Sequence, residues 1–476
     1  SPLAESTWLV TASGAARSRG GWQREAGPGE SVALRANAAA MVDEGIETGD
    51  TAFMFVCMAM VQFMTPGLAF FYGGLVRSTN ILTIMFQSFL ALGVVFVLWY
   101  AVVFSMCFGS SVVGLVGNPL TYAFFNGVHT HKPFGPAAPS IPGTLYAGYQ
   151  GMFAVISPAL MTGAFADCVR WGPYLILLVA WMFLVYAPVC HWVWGDGWMQ
   201  QWGVFDYAGG IVVHITSGFS ALAALCVIGP RTLSTGETEK RAPHNVPFVA
   251  LGTAMLFFGW FGFNGGSEVA SNGVAVAAAV NSQLAGSVAL VFWLILDGVN
   301  GKKPGLVSAC VGAVAGLATV TPCAGFVPLW GAFILGLAAS VVCYSCVVLI
   351  QKFHLDDALD VWGVHGMGGL AGSVLLGVLA QDTVNPGTAN GSLHQLLVQF
   401  SCAAIAAVYS FGASFIFLSI MDRFVRIRPK RTTEGDLDKV LHGEVAYVTH
   451  RSNPSIDKGL KDGSLGTSED ESDVTQ

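Results

Sequence analysis

Long apolar segments separated by short polar stretches fill the chain between residues 51 and 421. A helix needs about 20 mostly apolar residues to cross the hydrocarbon core of a bilayer. The segments of this kind are 51–73, 81–108, 145–166, 173–190, 207–229, 246–266, 274–297, 304–321, 325–351, 363–381 and 394–421. The pattern predicts an all-α polytopic membrane protein with eleven transmembrane helices.

Composition agrees with this assignment to the lipid bilayer. Apolar residues make up 54% of the chain and charged residues 11%, whereas a soluble globular chain carries about 25% charged residues. The body of the chain has no basic run, so nucleic-acid binding is not expected. Most of the 10 cysteines lie in apolar segments without zinc-ligand spacing. Cys343 and Cys346 form a CxxC, but we interpret them as small core residues, with no metal or cofactor.

The two ends differ from the body. Residues 1–50 are polar and lack the apolar core of a signal peptide, so we expect a loosely ordered extracellular extension. Residues 51–421 form the predicted transmembrane domain. Residues 422–476 form a predicted cytoplasmic tail, which begins basic and ends in the acidic run 468–473. We expect the end of this tail to be disordered.

Basic residues set the predicted orientation. Cytoplasmic loops of membrane proteins are enriched in Lys and Arg. Alternate loops on one side contain Arg77, Arg170, Arg231, Lys240, Arg241, Lys302, Lys303 and Lys352, and loops on the other side contain only Lys132. The basic start of the tail lies on the first side. The C-terminus is therefore predicted inside and, with eleven spans, the N-terminus outside.

The fifth and tenth segments resemble each other. Each carries a histidine inside an apolar span, His214 and His365, and each has an aspartate shortly before it, Asp206 and Asp360. Because five spans separate the two copies, the second would be inverted relative to the first. Inverted repeats of this kind surround the substrate site of many transporters. The short match predicts an inverted five-helix repeat.

Ionisable residues inside a membrane usually face a bundle interior or a pathway. One buried histidine is commonly a core residue, but two at matching repeat positions favour a function. Neutral imidazoles can share a proton, one donating and the other accepting, and would form a short proton wire. Asp206 could be a helix N-cap or a carboxylate near a vestibule.

Aromatic residues are dense around Trp192, Trp194 and Trp198. Such a cluster is typical of an interfacial belt. It is also compatible with a cation–π site, where each ring contributes about 0.5–2 kcal/mol.

Several motifs make the chain resemble the ammonium transporter family (Amt, Mep and, more distantly, Rh), from about Asp50 to Tyr447. These motifs read DYAGGIVVHITSG at 206–218, MTPGLAFFYGG at 64–74, GWFGFNGGS at 259–267 and DVWGVHG at 360–366. The resemblance is closer to the Amt/Mep branch. It implies a plasma-membrane homotrimer of eleven-span subunits, each with its own pore for ammonium or ammonia.

The resemblance also implies roles for individual residues. Phe153 and Trp194 would line an outer recruitment site, with the hydroxyl of Ser267 and with Asp206 in support. Tyr149 and Phe263 would act as gates. His214 and His365 would be the paired pore histidines that relay a proton. The segment 434–447 is similar to the family's regulatory C-terminal region, which would be open to a cytoplasmic regulator.

Three positions depart from the family pattern. Tyr149 stands where a phenylalanine is expected, Glu268 follows Ser267 where a small or apolar residue is expected, and the tail motif carries an extra residue before Leu437.

Other function classes are less compatible with the sequence. A haem protein with His214 and His365 as axial ligands would need a wide pocket between two Gly-rich helices. An ammonium sensor would need a partner, because no catalytic domain follows residue 421. An enzyme is not expected, since no nucleophile–base pair or phosphate loop is evident.

Overall fold

The computed structural model describes residues 45–231, 242–353, 355–430 and 433–447. The extension predicted for 1–50 and the acidic run at 468–473 therefore lie wholly or largely outside the described residues. The long helices are labelled α1 to α11 in chain order. They are α1 (Thr48–Leu75), α2 (Ile81–Phe108), α3 (Gly143–Met161), α4 (171–194), α5 (Gly210–Ile228), α6 (Val246–Glu268), α7 (Gly273–Val299), α8 (Leu306–Cys323), α9 (Leu329–Lys352), α10 (Trp362–Leu379) and α11 (Leu393–Phe424).

Each predicted apolar segment coincides with one of these helices. The largest difference is at the end of the third segment, predicted at residue 166 and found at Met161. Among the described residues, 10 helices are long and apolar enough to cross a membrane. These helices confirm the prediction of a polytopic helical membrane protein.

Helix α3 is the long helix outside that set of 10. It contains several polar and small residues, among them Tyr149 and Gln150, and 17 of its 19 residues are buried. Because other helices surround it, its side chains face protein rather than lipid and need not be apolar. Helices such as α2 and α11 instead expose large apolar residues, for example Val97 and Val408, on their outer faces.

Glycines bring α5 and α10 into direct contact at the centre of the bundle. A Cβ on Gly218 would overlap the backbone of Gly366. A Cβ on Gly369 would lie 2.7 Å from the Gly210 carbonyl oxygen and 2.9 Å from the Cβ of His214. Because these positions lack side chains, the two backbones approach closely enough for residues on both helices to meet.

The starts of α5 and α10 share an unusual local structure. Each helix begins with a π-helical turn, Gly210–Ile215 and Trp362–Gly366. The carboxylate of Asp206 accepts hydrogen bonds from the backbone N–H groups of four residues, 209–212, at 2.6–3.1 Å. The carboxylate of Asp357 accepts from the N–H groups of Val361 at 3.0 Å and Trp362 at 2.8 Å. Both carboxylates satisfy backbone donors that a helix start leaves unpaired.

This geometry corrects the expected pairing of Asp206 with Asp360. Asp357 lies eight residues before His365, as Asp206 lies eight before His214, and it makes the equivalent capping contacts. Asp360 instead corresponds to Gly209. Both have left-handed backbones, with φ of +58° at Asp360 and +107° at Gly209, and both stand three residues after the capping aspartate.

The loop between α2 and α3 contains a small hairpin, β1 (Ser111–Val112) paired antiparallel with β2 (Val116–Gly117). It lies at the same end of the bundle as the end of α4, where Trp192 donates its indole N–H to the Leu115 carbonyl oxygen at 2.7 Å.

The C-terminal segment 433–447 packs against the starts of α2 and α6. Asp438 is buried, and its carboxylate accepts hydrogen bonds from the N–H groups of Leu82 at 2.9 Å and Thr83 at 2.8 Å. The Tyr447 hydroxyl lies 3.0 Å from Nε2 of His244. The extra residue before Leu437 therefore leaves the segment in contact with the helical body, and Leu437 itself is fully buried.

Candidate functional site

A cavity of about 310 Å³ opens among the starts of α3 and α5 and the ends of α4 and α6, and we call it the vestibule. It brings together four residues predicted for the recruitment site: Phe153, Trp194, Asp206 and Ser267. The remaining lining residues are Ala137, Tyr146, Gln150, Gln200, Tyr207, Glu268, Val269, Phe326 and Asn385. The wall combines aromatic rings with oxygen acceptors.

Trp194 is held in the vestibule wall by its polar edge. Its indole N–H donates to the Asp206 carbonyl oxygen at 2.8 Å. Its ring meets Phe153 edge to face, with centroids 6.0 Å apart and planes at 87°. An aromatic face fixed beside a cavity can attract a small cation through its quadrupole.

Ser267 lies at the end of α6 beside Tyr149. The Ser267 hydroxyl donates to the Phe263 carbonyl oxygen at 2.8 Å. The buried Tyr149 hydroxyl lies 2.9 Å from the carbonyl oxygens of both Gly262 and Phe263, and 3.3 Å from the Ser267 oxygen. Because the Ser267 proton is committed to a carbonyl, its oxygen is left to accept a hydrogen bond from a donor.

Asp206 supports the vestibule through its backbone contacts. Burial raises the pKa of Asp206 to about 6, although the four amide N–H groups that it accepts from act to lower it. The side chain is therefore mostly a carboxylate at neutral pH. Its oxygens are already bound to the start of α5, so it shapes the site more than it binds a ligand.

Aromatic rings separate the vestibule from the interior. Phe153 and Phe263 pack with centroids 4.2 Å apart and planes at 33°, and both are buried. The Tyr149 and Phe153 rings pack in a T-shaped arrangement, with their centroids 5.1 Å apart. The Tyr149 hydroxyl points to α6. In this conformation the two phenylalanine rings are in direct contact.

Behind these rings lies a narrow space of about 10 Å³, which we call the central cavity. Its lining is apolar apart from the two histidines. It comprises Met64, Leu68, Phe71, Ile156, Leu160, Val213, His214, Leu256, Trp260, Phe263, Val314 and His365. An ordered water needs about this volume and two to four polar partners, so the cavity is unfavourable for a chain of waters.

The structure brings His214 and His365 together in the central cavity. Their Nδ1 atoms lie 3.2 Å apart, and the rings are nearly parallel at 19°. One Nδ1 must therefore donate and the other accept, which leaves one Nε2 as a donor and the other as an acceptor. Nε2 of His214 is buried without a protein partner among the described residues. The pair can accept a proton at one outer nitrogen and release one at the other.

Three residues in or near the two cavities were not predicted as site residues. The ring of Trp260 stacks on that of His214, with centroids 5.7 Å apart and an angle of 20° between the planes. Its indole N–H donates to the Thr321 hydroxyl oxygen at 3.0 Å. Tyr207 lines the vestibule, and Asp357 caps α10. Only Asp357 had a usable signal, its spacing of eight residues before the histidine.

Within the described ranges, no group of three or more His, Cys, Asp or Glu side chains is placed to hold a metal ion.

The fold and cavities define a helical membrane protein with a narrow central cavity beneath a wider vestibule. A family model, the Ammonium Transporter Family, matches residues 52–447. The chain belongs to this family, in agreement with the resemblance of its motifs.

Individual relatives give the same result. The chain is 40% identical to an ammonium transporter of Bacillus subtilis over 410 residues, covering 84% of this chain and 99% of the relative. It is 39% identical to the ammonium transporter Amt1 of Archaeoglobus fulgidus over 403 residues, covering 84% and 99%. Among solved structures it resembles Mep2 of Candida albicans, with a TM-score of 0.77 and 32% identity over 87% of this chain and 96% of that one.

Proposed function

We propose that the protein is an electrogenic ammonium transporter that carries ammonia and a proton by separate routes through each subunit. The observation that carries this proposal is the contact of His214 with His365 in a narrow, mostly apolar cavity, at 3.2 Å between their Nδ1 atoms. Relatives named ammonium transporters support the substrate.

Physical chemistry explains why two routes are needed. An ammonium ion that entered the central cavity unaided would lose its water without gaining enough polar partners, at a cost of many kcal/mol. The vestibule can replace part of that water with the faces of Trp194 and Phe153 and the oxygen of Ser267. Deprotonation beyond this site then leaves neutral ammonia, which crosses an apolar cavity at far lower cost.

The histidine pair provides a route for the proton. Nε2 of one imidazole accepts the proton, the Nδ1–Nδ1 bond passes a proton to the second ring, and the second Nε2 releases one. Recombination with ammonia on the far side makes net transport electrogenic. Phe153 and Phe263 must separate transiently to admit ammonia, since their ring centroids are only 4.2 Å apart in this conformation.

We further propose the topology and assembly. With helix α3 as the eleventh span and the basic loops in the cytoplasm, residues 1–50 would lie outside and 422–476 inside, with the vestibule facing outward. The matching caps, left-handed residues and π-turns at the starts of α5 and α10 support an inverted five-helix repeat. Exposed apolar residues on the helix faces suit lipid and neighbouring subunits of a homotrimer in the plasma membrane.

The docked segment 433–447 supports a regulatory role for the tail, through which a cytoplasmic regulator would act. A sensor is the second candidate, but the paired histidines in the central cavity beneath the vestibule favour transport. Haem ligation is disfavoured because the two rings are in direct contact and the cavity of about 10 Å³ has no room for a porphyrin. Transport rather than catalysis is therefore the activity that we assign.

Reconstitution tests the proposal directly. The purified full chain in proteoliposomes should give a current driven by an inward ammonium gradient and none with an equal potassium gradient. Ammonia uptake without charge movement would contradict the electrogenic mechanism, and equal potassium current would contradict selectivity.

A further inference from the structure

Glu268 lies on the vestibule wall at the end of α6, directly after Ser267. Val269 follows in a left-handed conformation with φ of +61°, so the chain turns sharply at this point. Oε1 of Glu268 accepts a hydrogen bond from the Asn272 amide at 2.8 Å, and the Tyr207 hydroxyl donates to Oε2 at 3.5 Å. These contacts hold the carboxylate at the cavity without occupying all of its acceptor sites.

The charges around the vestibule are unbalanced. Its lining contains two carboxylates, Asp206 and Glu268, and no Lys, Arg or His side chain among the described lining residues. Asp206 accepts four backbone N–H groups at the start of α5, where the helix dipole offsets negative charge. Glu268 accepts two hydrogen bonds, whereas a carboxylate offers about four acceptor sites. Glu268 therefore carries most of the uncompensated negative charge.

We propose that Glu268 is a cation-recruiting residue of the vestibule, whose carboxylate attracts ammonium electrostatically and hydrogen-bonds to it beside Ser267 and Trp194. This inference rests on the proposed function and extends it to a residue where the family pattern predicts a small or apolar side chain. The occupant is a small monovalent cation with N–H donors.

Two physical effects favour this role. A carboxylate within about 4–6 Å favours the charged form of a neighbouring amine, so it would retain ammonium rather than ammonia at the entrance. Charge-assisted hydrogen bonds to a carboxylate are also stronger than bonds to the neutral hydroxyl of Ser267. The aromatic faces can then bind the cation that the carboxylate has attracted.

A structural role for Glu268 makes different predictions. Its bond to Asn272 joins the end of α6 to the start of α7, and a glutamine of the same shape could still accept that bond through its amide oxygen. Glu268→Gln therefore removes the charge and keeps the contact. A residue that acts only by holding the turn would tolerate this change.

The test compares ammonium currents of the full chain in proteoliposomes over a range of ammonium concentrations. Wild type, Glu268→Gln, Glu268→Asp and the control Asp382→Asn are measured at two ionic strengths, adjusted with an impermeant organic cation. Asp382 is exposed and outside the vestibule lining. Its loss changes the net charge by the same amount.

We expect Glu268→Gln to raise KM roughly tenfold, which corresponds to about 1.4 kcal/mol, with unchanged maximal current. The wild-type KM should rise with ionic strength because salt screens the carboxylate, with a screening length of about 8 Å at 0.15 M. The KM of Glu268→Gln should not depend on ionic strength. Glu268→Asp should lie between the two, and Asp382→Asn should match wild type.

Two outcomes would overturn the role assigned to Glu268 and leave the proposed transport function intact. One is a Glu268→Gln variant with wild-type KM and wild-type salt dependence. The other is a loss of maximal current without a change in KM, which indicates a structural role. A wild-type protein without any ammonium current would instead contradict the proposed function, and this inference with it.

Discussion

Tyr149 and Ser267 place their hydroxyl oxygens 3.3 Å apart at the entrance to the pathway. The Tyr149 hydroxyl is anchored 2.9 Å from the Gly262 carbonyl oxygen, so the tyrosine fixes the end of α6 from which Ser267 projects. The hydroxyl that distinguishes Tyr149 from the expected phenylalanine therefore helps to position Ser267. The ring of Tyr149, in contrast to its hydroxyl, contacts Phe153.

The first prediction concerns this hydroxyl. Tyr149→Phe should raise the KM for ammonium a few-fold and leave potassium excluded, because it loosens Ser267 without opening the Phe153–Phe263 contact. The lost hydrogen bond should also lower the free energy of unfolding by about 1 kcal/mol. Concentration-dependent currents and thermal unfolding in detergent measure the two effects.

Tyr174→Phe is the matched control for that change. Tyr174 is also fully buried, but its hydroxyl has no hydrogen-bond partner within the described part of the chain. Its removal should leave KM unaltered. An unchanged KM in Tyr149→Phe as well would show that the hydroxyl does not position Ser267.

The second prediction concerns pH. Burial raises the pKa of Asp206 to about 6, so the side chain is a carboxylate above that pH and a neutral acid below it. The neutral acid is a poorer acceptor for the four amide N–H groups, and the loop that carries the Trp194 contact should loosen. Ammonium current should therefore fall as the external pH is lowered from 7 to 5, with a midpoint near 6.

Glu268→Gln separates this effect from the other vestibule carboxylate. The midpoint should persist in that variant when ammonium is saturating. A current that stays constant between pH 7 and pH 5 would exclude Asp206 as the group that sets the profile.

The length of the apolar segments predicted the helices well because a bilayer imposes about 20 apolar residues on each span that faces lipid. Helix α3 shows where this rule weakens. It is largely enclosed by protein, so Tyr149, Gln150 and several glycines are tolerated there. Its remaining apolar residues were still enough to predict a segment at 145–166.

The residues of the candidate site that lie in sequence motifs could be predicted. The contacts that depend on backbone geometry could not. The contact of His214 with His365 depends on the close glycine packing of α5 and α10, which a linear pattern does not show. The choice of Asp357 over Asp360 as the cap of α10 depends on a left-handed backbone at Asp360. The stacking of Trp260 on His214 arises only when α6 packs beside α5.

The third prediction concerns the docked tail segment. Asp438→Ala should reduce transport, because it leaves the N–H groups of Leu82 and Thr83 without their acceptor. Loss of such a cap costs about 0.5–2 kcal/mol, enough to weaken docking of residues 433–447. Uptake is measured at equal surface expression, with limited proteolysis as a readout of docking.

The exposed Asp436 supplies the control for this variant. Asp436→Ala should transport and resist proteolysis like wild type. If Asp438→Ala releases the segment to protease but leaves uptake intact, the tail does not regulate transport.

The fourth prediction concerns orientation. An epitope tag after Gln476 should be reached by antibody only in permeabilised cells, because the basic loops place the C-terminus inside. A tag inserted at Thr130, between α2 and α3, should be labelled in intact cells. Labelling of the C-terminal tag in intact cells would be incompatible with eleven spans and an outer N-terminus.

The last prediction concerns the histidine pair. His214→Ala and His365→Ala each remove one partner of the 3.2 Å contact, so the remaining ring has no neighbour in reach and the proton route is interrupted. Positioned proton-transfer groups contribute factors on the order of 10²–10⁴, and the ammonium current should fall at least tenfold by the same reasoning. His394→Ala, at an exposed histidine, controls for loss of an imidazole.

The most direct test is the current of these three variants in proteoliposomes under matched ammonium and potassium gradients. The proposed mechanism predicts that both pore variants lose proton-coupled ammonium current, while His394→Ala keeps it. A pore variant that loses this current and carries potassium would show that the pair also excludes hydrated cations. Wild-type ammonium current with potassium still excluded in His214→Ala or His365→Ala would contradict the mechanism and leave the two histidines as ordinary core residues.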